Sequence, residues 1–229
     1  MLYLQQRYEN NSFNAQCPMP NAQCPISMTF LSTILLFFPT LILILTGAAI
    51  IYLAYSPSIF SILAVLFSLY GLPVLIYRLH QWVYPVQEGI SYLRGNSYSP
   101  WWGSHQIQVI YIAIPVLETI LRLIPGAFSF WLRLWGAKVG RNVYWTPGLE
   151  IADRGLIEIG DRVVMGHRVT ISSHIIKPRK QDLMLYVKKV TIGNDVFVGA
   201  GCVLVPGVVI SDATFVPAGT NIYPNQQVE

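Results

Sequence analysis

One apolar residue recurs at every sixth position through the C-terminal part of the chain. The cleanest run is Ile192, Val198, Leu204, Ile210, Val216 and Ile222. Four residues after the first five of these come Val196, Cys202, Val208, Thr214 and Thr220, all small or β-branched. The same pattern passes through Ile159, Met165 and Ile171, with Val163 and Val169 at the fourth offset. Val139, Trp145 and Ile151 extend it back, across a two-residue slip near Ile157. A period of six fits neither an amphipathic helix nor a half-buried strand. It fits a solenoid with three short flat faces per turn, the repeat residue pointing inward and successive turns stacking at ~4.8 Å. Cys202 falls at an inward place and needs no redox role.

The hexads stop at Ile171 and resume at Ile192. Between them run Ser172-Ser173-His174-Ile175-Ile176-Lys177-Pro178-Arg179-Lys180 and then residues 181–190. A loop pushed out of a solenoid is a natural place for function. An imidazole there can take a proton from a hydroxyl near neutral pH, which makes His174 a candidate general base. His167 is the rival, inside a hexad at an outward-facing place. His80 and His105 lie outside the repeat and carry no expected catalytic part.

The repeat, the Ser-Ser-His ending, the excursion and the returning Val187-Lys188-Lys189-Val190-Thr191-Ile192-Gly193 resemble the hexapeptide-repeat acyltransferases, in particular the galactoside, maltose and colanic-acid O-acetyltransferase branch. The likeness runs over about 139–222. It implies a mainly β fold, a left-handed parallel β-helix, and a homotrimer that uses acetyl-CoA or another acyl-CoA, with no metal. It implies that His174 is the base. It also implies a CoA groove between neighbouring subunits, with Gly199, Ala200, Gly201, Pro217, Ala218 and Gly219 as its contacts and Lys177, Arg179, Lys180, Lys188 and Lys189 available to the CoA phosphates. Phe197 stands where relatives often carry Trp. The polar stretch Asn221 to Glu229 is expected to cap the prism in place of the helix that relatives usually have.

The other half of the chain reads differently. Charged residues are 11% and hydrophobic ones 53%, against about 25% charged in ordinary soluble domains. No Asp, Glu, Lys or Arg lies between Glu9 and Arg78. Thr29 to Ala54 and Ile59 to Tyr77 are apolar runs separated by Ser56-Pro57-Ser58, which predicts a transmembrane helical hairpin over 28–79 with Pro39 kinking its first helix. Arg78, His80 and Arg94 follow the hairpin, while the loop at Ser56 has no basic residue. The positive-inside rule then places both ends, and the β-helix, on the cytoplasmic side. Residues 1–27 repeat Asn-Ala-Gln-Cys-Pro at Asn14 and Asn21 and predict no fold; translation starting at Met28 is an alternative. Cys17 and Cys24 have no metal-site spacing.

The region 80–138 is expected to hold a loop over Tyr84 to Gly103 and an amphipathic helix from Ile107 to Ile124, lying in the membrane interface and continued by Phe128 to Trp135, with a third membrane span as the alternative. Glu118 and Arg122 pair at i, i+4, and Pro115 and Pro125 break it. The β-helix domain is 139–229. The net charge of +4 comes without a Lys/Arg cluster interleaved with aromatics, so nucleic acid is not an expected partner. The functional expectation is a membrane-anchored, multi-pass acyltransferase that acylates a hydroxyl on a membrane-associated acceptor such as a glycolipid or lipid-linked sugar. Two readings compete: a non-catalytic trimeric scaffold, and a γ-carbonic anhydrase-like zinc enzyme, for which the repeat offers only His167 and His174.

Overall fold

The computed structural model describes residues 29–93, 97–179 and 182–229. The expectations for 1–27, Met28, Arg94 and Lys180 lie outside the described residues.

Among the described residues two helices are long and apolar enough to cross a membrane, Phe30–Tyr55 with 26 residues and Ile59–Val83 with 25, or three if the bent pair Pro100–Ala113 and Val116–Arg122 is one span. At 1.5 Å per residue each reaches ~38 Å, more than a hydrocarbon core of ~30 Å. The first comprises α1 (Phe30–Leu36) and α2 (Phe38–Tyr55), and its break at Phe37 comes just ahead of Pro39. The second comprises α3 (Ile59–Leu66), a π turn (Phe67–Gly71) and α4 (Leu72–Val83). Ser58 caps α3, its hydroxyl accepting from Ser61 N–H at 3.1 Å while Ser61 Oγ accepts from Ser58 N–H at 2.9 Å. These two bonds satisfy donors that a helix start leaves orphaned. A buried Thr46–Ser68 hydroxyl pair at 3.2 Å ties the two helices together.

Next come α5 (Pro100–Ala113), α6 (Val116–Arg122) and α7 (Ala127–Leu134), with a 76° bend between α5 and α6 at Pro115. A helix lying in the membrane interface turns its polar side chains toward water. In the structure they turn inward: Gln106, Gln108 and Glu118 are buried, and the Arg122 side chain is 5% exposed. Ile112, Val116, Ile120, Leu123 and Ile124 face outward instead. Beside a bilayer, apolar side chains can face lipid while polar ones find partners within the protein. Glu118 pairs with Arg122 at 3.6 Å, as expected, and also with Arg154 from the coil.

From Lys138 the chain winds into the left-handed parallel β-helix that the resemblance implies. Its three faces are parallel sheets ordered β16-β13-β10-β5-β2, β14-β11-β6-β3 and β15-β12-β7-β4. These are β2 (Lys138–Val139), β3 (Tyr144–Trp145), β4 (Glu150–Ile151), β5 (Ile157–Ile159), β6 (Val164–Met165), β7 (Thr170–Ile171), β10 (Val190–Ile192), β11 (Phe197–Val198), β12 (Val203–Leu204), β13 (Val209–Ile210), β14 (Phe215–Val216), β15 (Asn221–Ile222) and β16 (Gln227–Val228). Ile192 pairs with Ile210 and Ile210 with Val228, Val198 with Val216, and Leu204 with Ile222, so these turns repeat every 18 residues. Val139, Trp145 and Ile151 pair with Ile159, Met165 and Ile171, which is 20 residues on. The slip expected near Ile157 is therefore a two-residue enlargement of the corner Ala152 to Leu156. The repeat residues form the buried core, and Cys202 is fully buried within it.

The excursion is a hairpin of β8 (His174–Arg179) and β9 (Asp182–Val187), extended by antiparallel β1 (Gly89–Tyr92). The stretch expected as a loop, Tyr84 to Gly103, thus supplies a strand and the start of α5. The core continues from Ile42 in the first apolar helix to Ile222 in the last turn. Where coil and helices meet, Tyr77 and Tyr111 pack edge-on against Trp135, with centroids at 4.8 and 5.7 Å. A Cβ on Gly155 would lie 2.1 Å from the Tyr77 hydroxyl, so only glycine fits this approach.

Candidate active site

The enlarged corner and the hairpin root stack one above the other. The first carries Asp153 and the second carries Ser173 and His174. Asp153 is 3% exposed, and its carboxylate is fully engaged. Oδ2 accepts from Ser173 N–H at 3.0 Å and lies 2.7 Å from His174 Nδ1; Oδ1 accepts from Trp101 Nε1–H at 3.0 Å. Burial alone pushes the Asp153 pKa up. The His174 hydrogen bond, the attraction of either imidazole when it is protonated and the Trp101 bond outweigh it and hold the carboxyl below the usual range. An ionised Asp153 can only accept, so Nδ1 of His174 carries the proton and Nε2 keeps a free lone pair.

Helix α5 completes the site. Ser99 caps it, accepting from Trp102 N–H at 3.4 Å, and Pro100 sits in its first turn, where a missing N–H costs nothing. Trp101, His105 and Gln108 follow at i, i+4 and i+7 on one face. Trp101 stacks on His105 with centroids at 5.0 Å, and the Trp101 and His105 rings lie 4.5 and 5.4 Å from that of His174. Gln108 Oε1 accepts from Arg154 N–H at 2.8 Å, which fixes α5 against the enlarged corner. Burial lowers the pKa of His105, with Asp153 opposing and His174 and Arg154 reinforcing, so the imidazole is held neutral. Its Nδ1 is buried and has no hydrogen-bond partner among the described residues. Ligand atoms of His105, Asp153 and His174 lie within 4.8 Å of one another, close enough to hold a metal ion.

The sequence singled out His174 and gave His105 no part; the structure brings both to Asp153. His167 is exposed on the coil. His80 lies elsewhere, with Nε2 2.5 Å from the Tyr98 hydroxyl. Gly199, Ala200, Gly201, Pro217, Ala218 and Gly219 share a different edge, where the β11–β14 sheet turns into the β12–β15 sheet. That whole second sheet separates them from His174. A Cβ on Gly199 would lie 2.4 Å from Ala218 N, so coil stacking alone requires this glycine. Gly201 and Gly219 have φ of +68° and +74°, and their N–H groups donate to His167 and Ala200 carbonyls. Of the basic residues, Lys177 and Arg179 are exposed on β8. Lys188 Nζ donates to Asn225 at 2.8 Å and Lys189 Nζ to Glu158 at 3.0 Å. Within one chain the glycines and these cations lie apart, and the expected groove is one between neighbouring subunits.

In Asp153→Asn an amide no longer enforces the Nδ1–H tautomer of His174. Stability follows the depressed carboxyl. Its contribution is complete above the unfolded pKa of about 3.9 and is lost as pH falls through the lower folded value. The melting gap between wild type and Asp153→Asn should therefore narrow below about pH 4; a gap that widens in acid would contradict the assignment.

No protein-family model matches the chain. Galactoside O-acetyltransferase of Escherichia coli K12 is 35% identical over 85 residues, covering 36% of this chain and 42% of that protein. WcaF of the same organism, by name an acetyltransferase in colanic acid biosynthesis, is 26% identical over 115 residues, covering 42% and 63%. The chain thus spans about half the length of the curated relatives it matches. Among solved structures, the hexapeptide-repeat acetyltransferase VCA0836 of Vibrio cholerae, complexed with acetyl coenzyme A, superposes with a TM-score of 0.40 at 18% identity, over 54% of this chain and 80% of that one. In its repeats, the chain is similar to the hexapeptide-repeat acetyltransferases of the galactoside and colanic-acid type, set here behind two apolar helices.

Proposed function

We propose that this chain is a membrane-anchored acyltransferase, moving an acetyl or other acyl group from CoA to a hydroxyl of a membrane-associated acceptor such as a glycolipid or lipid-linked sugar. The observation that carries this reading is the His174–Asp153 pair at 2.7 Å, raised by the hairpin root out of the coil. His174 Nε2 removes the hydroxyl proton as that oxygen attacks the thioester carbonyl. The C–S bond then breaks, the ester forms, and the imidazolium returns its proton to the departing CoA sulfur. Asp153 takes no proton: it orients the ring and stabilises the imidazolium. The acceptor attacks the thioester directly, so no acyl-enzyme is needed. Both apolar helices precede the coil, and a cytoplasmic coil meets the cytoplasmic pool of acyl-CoA.

The separation of the glycine edge from His174 favours a site completed by a second copy. Tyr144, Val164, Phe197 and Phe215 lie in register across one outer face, and Tyr144, Phe197 and Phe215 are exposed. Phe197 stacks on Phe215 at 5.4 Å. In the expected homotrimer this stripe is covered. Phe215→Lys should shift the purified protein toward monomer in analytical ultracentrifugation and lower turnover with it; an unchanged mass would count against the trimer at this face.

The reading is tested by thiol release from acetyl-CoA in purified membranes, with native lipid and glycan extracts as acceptors. Acceptor-dependent release supports it, and a full chain that neither releases thiol nor binds CoA in titration rejects it in favour of the scaffold. A second reading, a zinc-dependent hydratase, draws on the three ligand atoms of His105, Asp153 and His174. Stoichiometric zinc in the purified full chain would favour it.

A further inference from the structure

Strand pairing puts His174 on the face of the hairpin sheet that floors a cavity. His174 pairs with Val187 and Val187 with Gly89, while Ile176 pairs with Leu185 and Leu185 with Ser91. Alternate residues share a face. His174, Leu185, Val187 and Ser91 therefore look the same way, and the last three line a cavity of about 360 Å³. That volume lies within the ~300–1,000 Å³ usual for ligand pockets. One wall is Trp101, which also touches His174 and donates to Asp153. Another wall is the segment Val83 to Gln87, which continues without interruption from the second apolar helix.

Three observations define what such a cavity takes. It begins where that helix ends, at Val83 and Tyr84, which are exposed as aromatic and apolar groups are at a membrane surface. Among the described residues its lining holds no Lys, Arg, His, Asp or Glu, so none of these side chains would compensate a charged group inside. Gln87, Ser91 and Ser99 supply scattered hydrogen-bonding groups among aromatic and aliphatic ones.

We propose that this cavity is the acceptor site, and that it takes a neutral amphiphile: a hydroxyl-bearing head at the Trp101 wall, on the side that borders His174, with an apolar segment running back along Val83 to Gln87 to the membrane surface. The proposal rests on the reading of His174 as the base, and it narrows the acceptor to molecules with no phosphate or carboxylate beside the acylated hydroxyl. The glycine edge, on the far side of the β12–β15 sheet, remains free for the acyl donor.

The test needs no turnover. The full chain in lipid nanodiscs is exposed to an octyl galactoside carrying a photoactivated diazirine in its alkyl chain, and labelled peptides are mapped by mass spectrometry. Label is expected on Val83 to Gln87 and around Trp101 or Leu185, displaced by unlabelled octyl galactoside and not by free galactose. Ser91→Trp, and separately Gln87→Trp, should each lower that label by about tenfold, with CoA titration on the same samples reporting a folded coil. Label confined to the outer surface of the apolar helices, or equal in wild type and both variants, overturns the proposal. A labelled cavity alongside a fully active His174→Ala enzyme would support the acceptor site and reject the base.

Discussion

His174→Ala should lower acceptor-dependent thiol release from acetyl-CoA by about 10²–10⁴-fold, the usual contribution of a positioned general base. The loss falls in kcat, because the imidazole acts as the proton leaves and contributes little to ground-state binding. CoA affinity should hold, since the imidazole acts on the proton of the attacking hydroxyl. The variant should also fold: Asp153 keeps its bonds from Ser173 N–H and Trp101 Nε1–H when the imidazole is gone. A variant that melts like wild type and turns over like wild type would move the base elsewhere. The structure nominates His105 as next in line, since it lies in the same cluster whereas His167 is exposed on the coil.

The second large effect concerns stability. Glu118 is 2% exposed and sits among three donors: Arg154 Nε at 2.5 Å, Trp131 Nε1 at 3.3 Å and Arg122 Nη2 at 3.6 Å. Arg154 comes from the enlarged corner and Arg122 from α6, so this carboxylate joins the helical region to the coil. Burial lowers the Arg122 pKa, Glu118 only partly opposing it and Arg154 reinforcing it. Glu118→Ala leaves two buried guanidinium groups without their counter-charge. Removing one partner of a buried ion pair typically costs about 3–5 kcal/mol, so the variant should melt well below wild type in detergent or fail to accumulate. Glu118→Gln, which keeps an acceptor, should lose less. Replacing Glu118, Arg122 and Arg154 together by apolar residues of similar volume should recover much of the loss, because no charge is then stranded. Equal melting of wild type and Glu118→Ala would mean that water, rather than Glu118, solvates the two arginines.

The coil was legible because its period is local. Each hexad places one side chain inward whatever surrounds the prism, and residues from Ile159 to Ile222 on that period are buried. The apolar helices were legible by length and lack of charge. The interruption that carries His174 was legible as a break in the period, and so was the slip near Ile157, although its content was not. The two extra residues sit in the corner that presents Asp153 to His174 and Arg154 to Glu118. A departure from strict repetition was thus a site signal in both places. The inward turn of Gln108, Glu118 and Arg122 was not legible, because periodicity identifies two faces of a helix and not which of them meets lipid. His105 had no local signal at all. Its place beside Asp153 depends on packing across dozens of residues of sequence, and only the uncharged stripe Trp101, His105, Gln108 marks that face in hindsight. The glycines of the CoA expectation were found for one reason and serve another as well, since coil stacking requires Gly199 whether or not a ligand binds.

The most direct measurement of the central claim is to follow the acyl group itself. Membranes containing the full chain, or its His174→Ala variant, are incubated with acetyl-CoA radiolabelled in the acetyl group and then partitioned between chloroform–methanol and water. The account predicts label in the organic phase for the wild-type chain, released by mild alkali as an ester is, and reduced to background in the variant. Label that appears only in the aqueous phase, or that appears equally with His174→Ala, would contradict acyl transfer to a membrane-associated hydroxyl through His174.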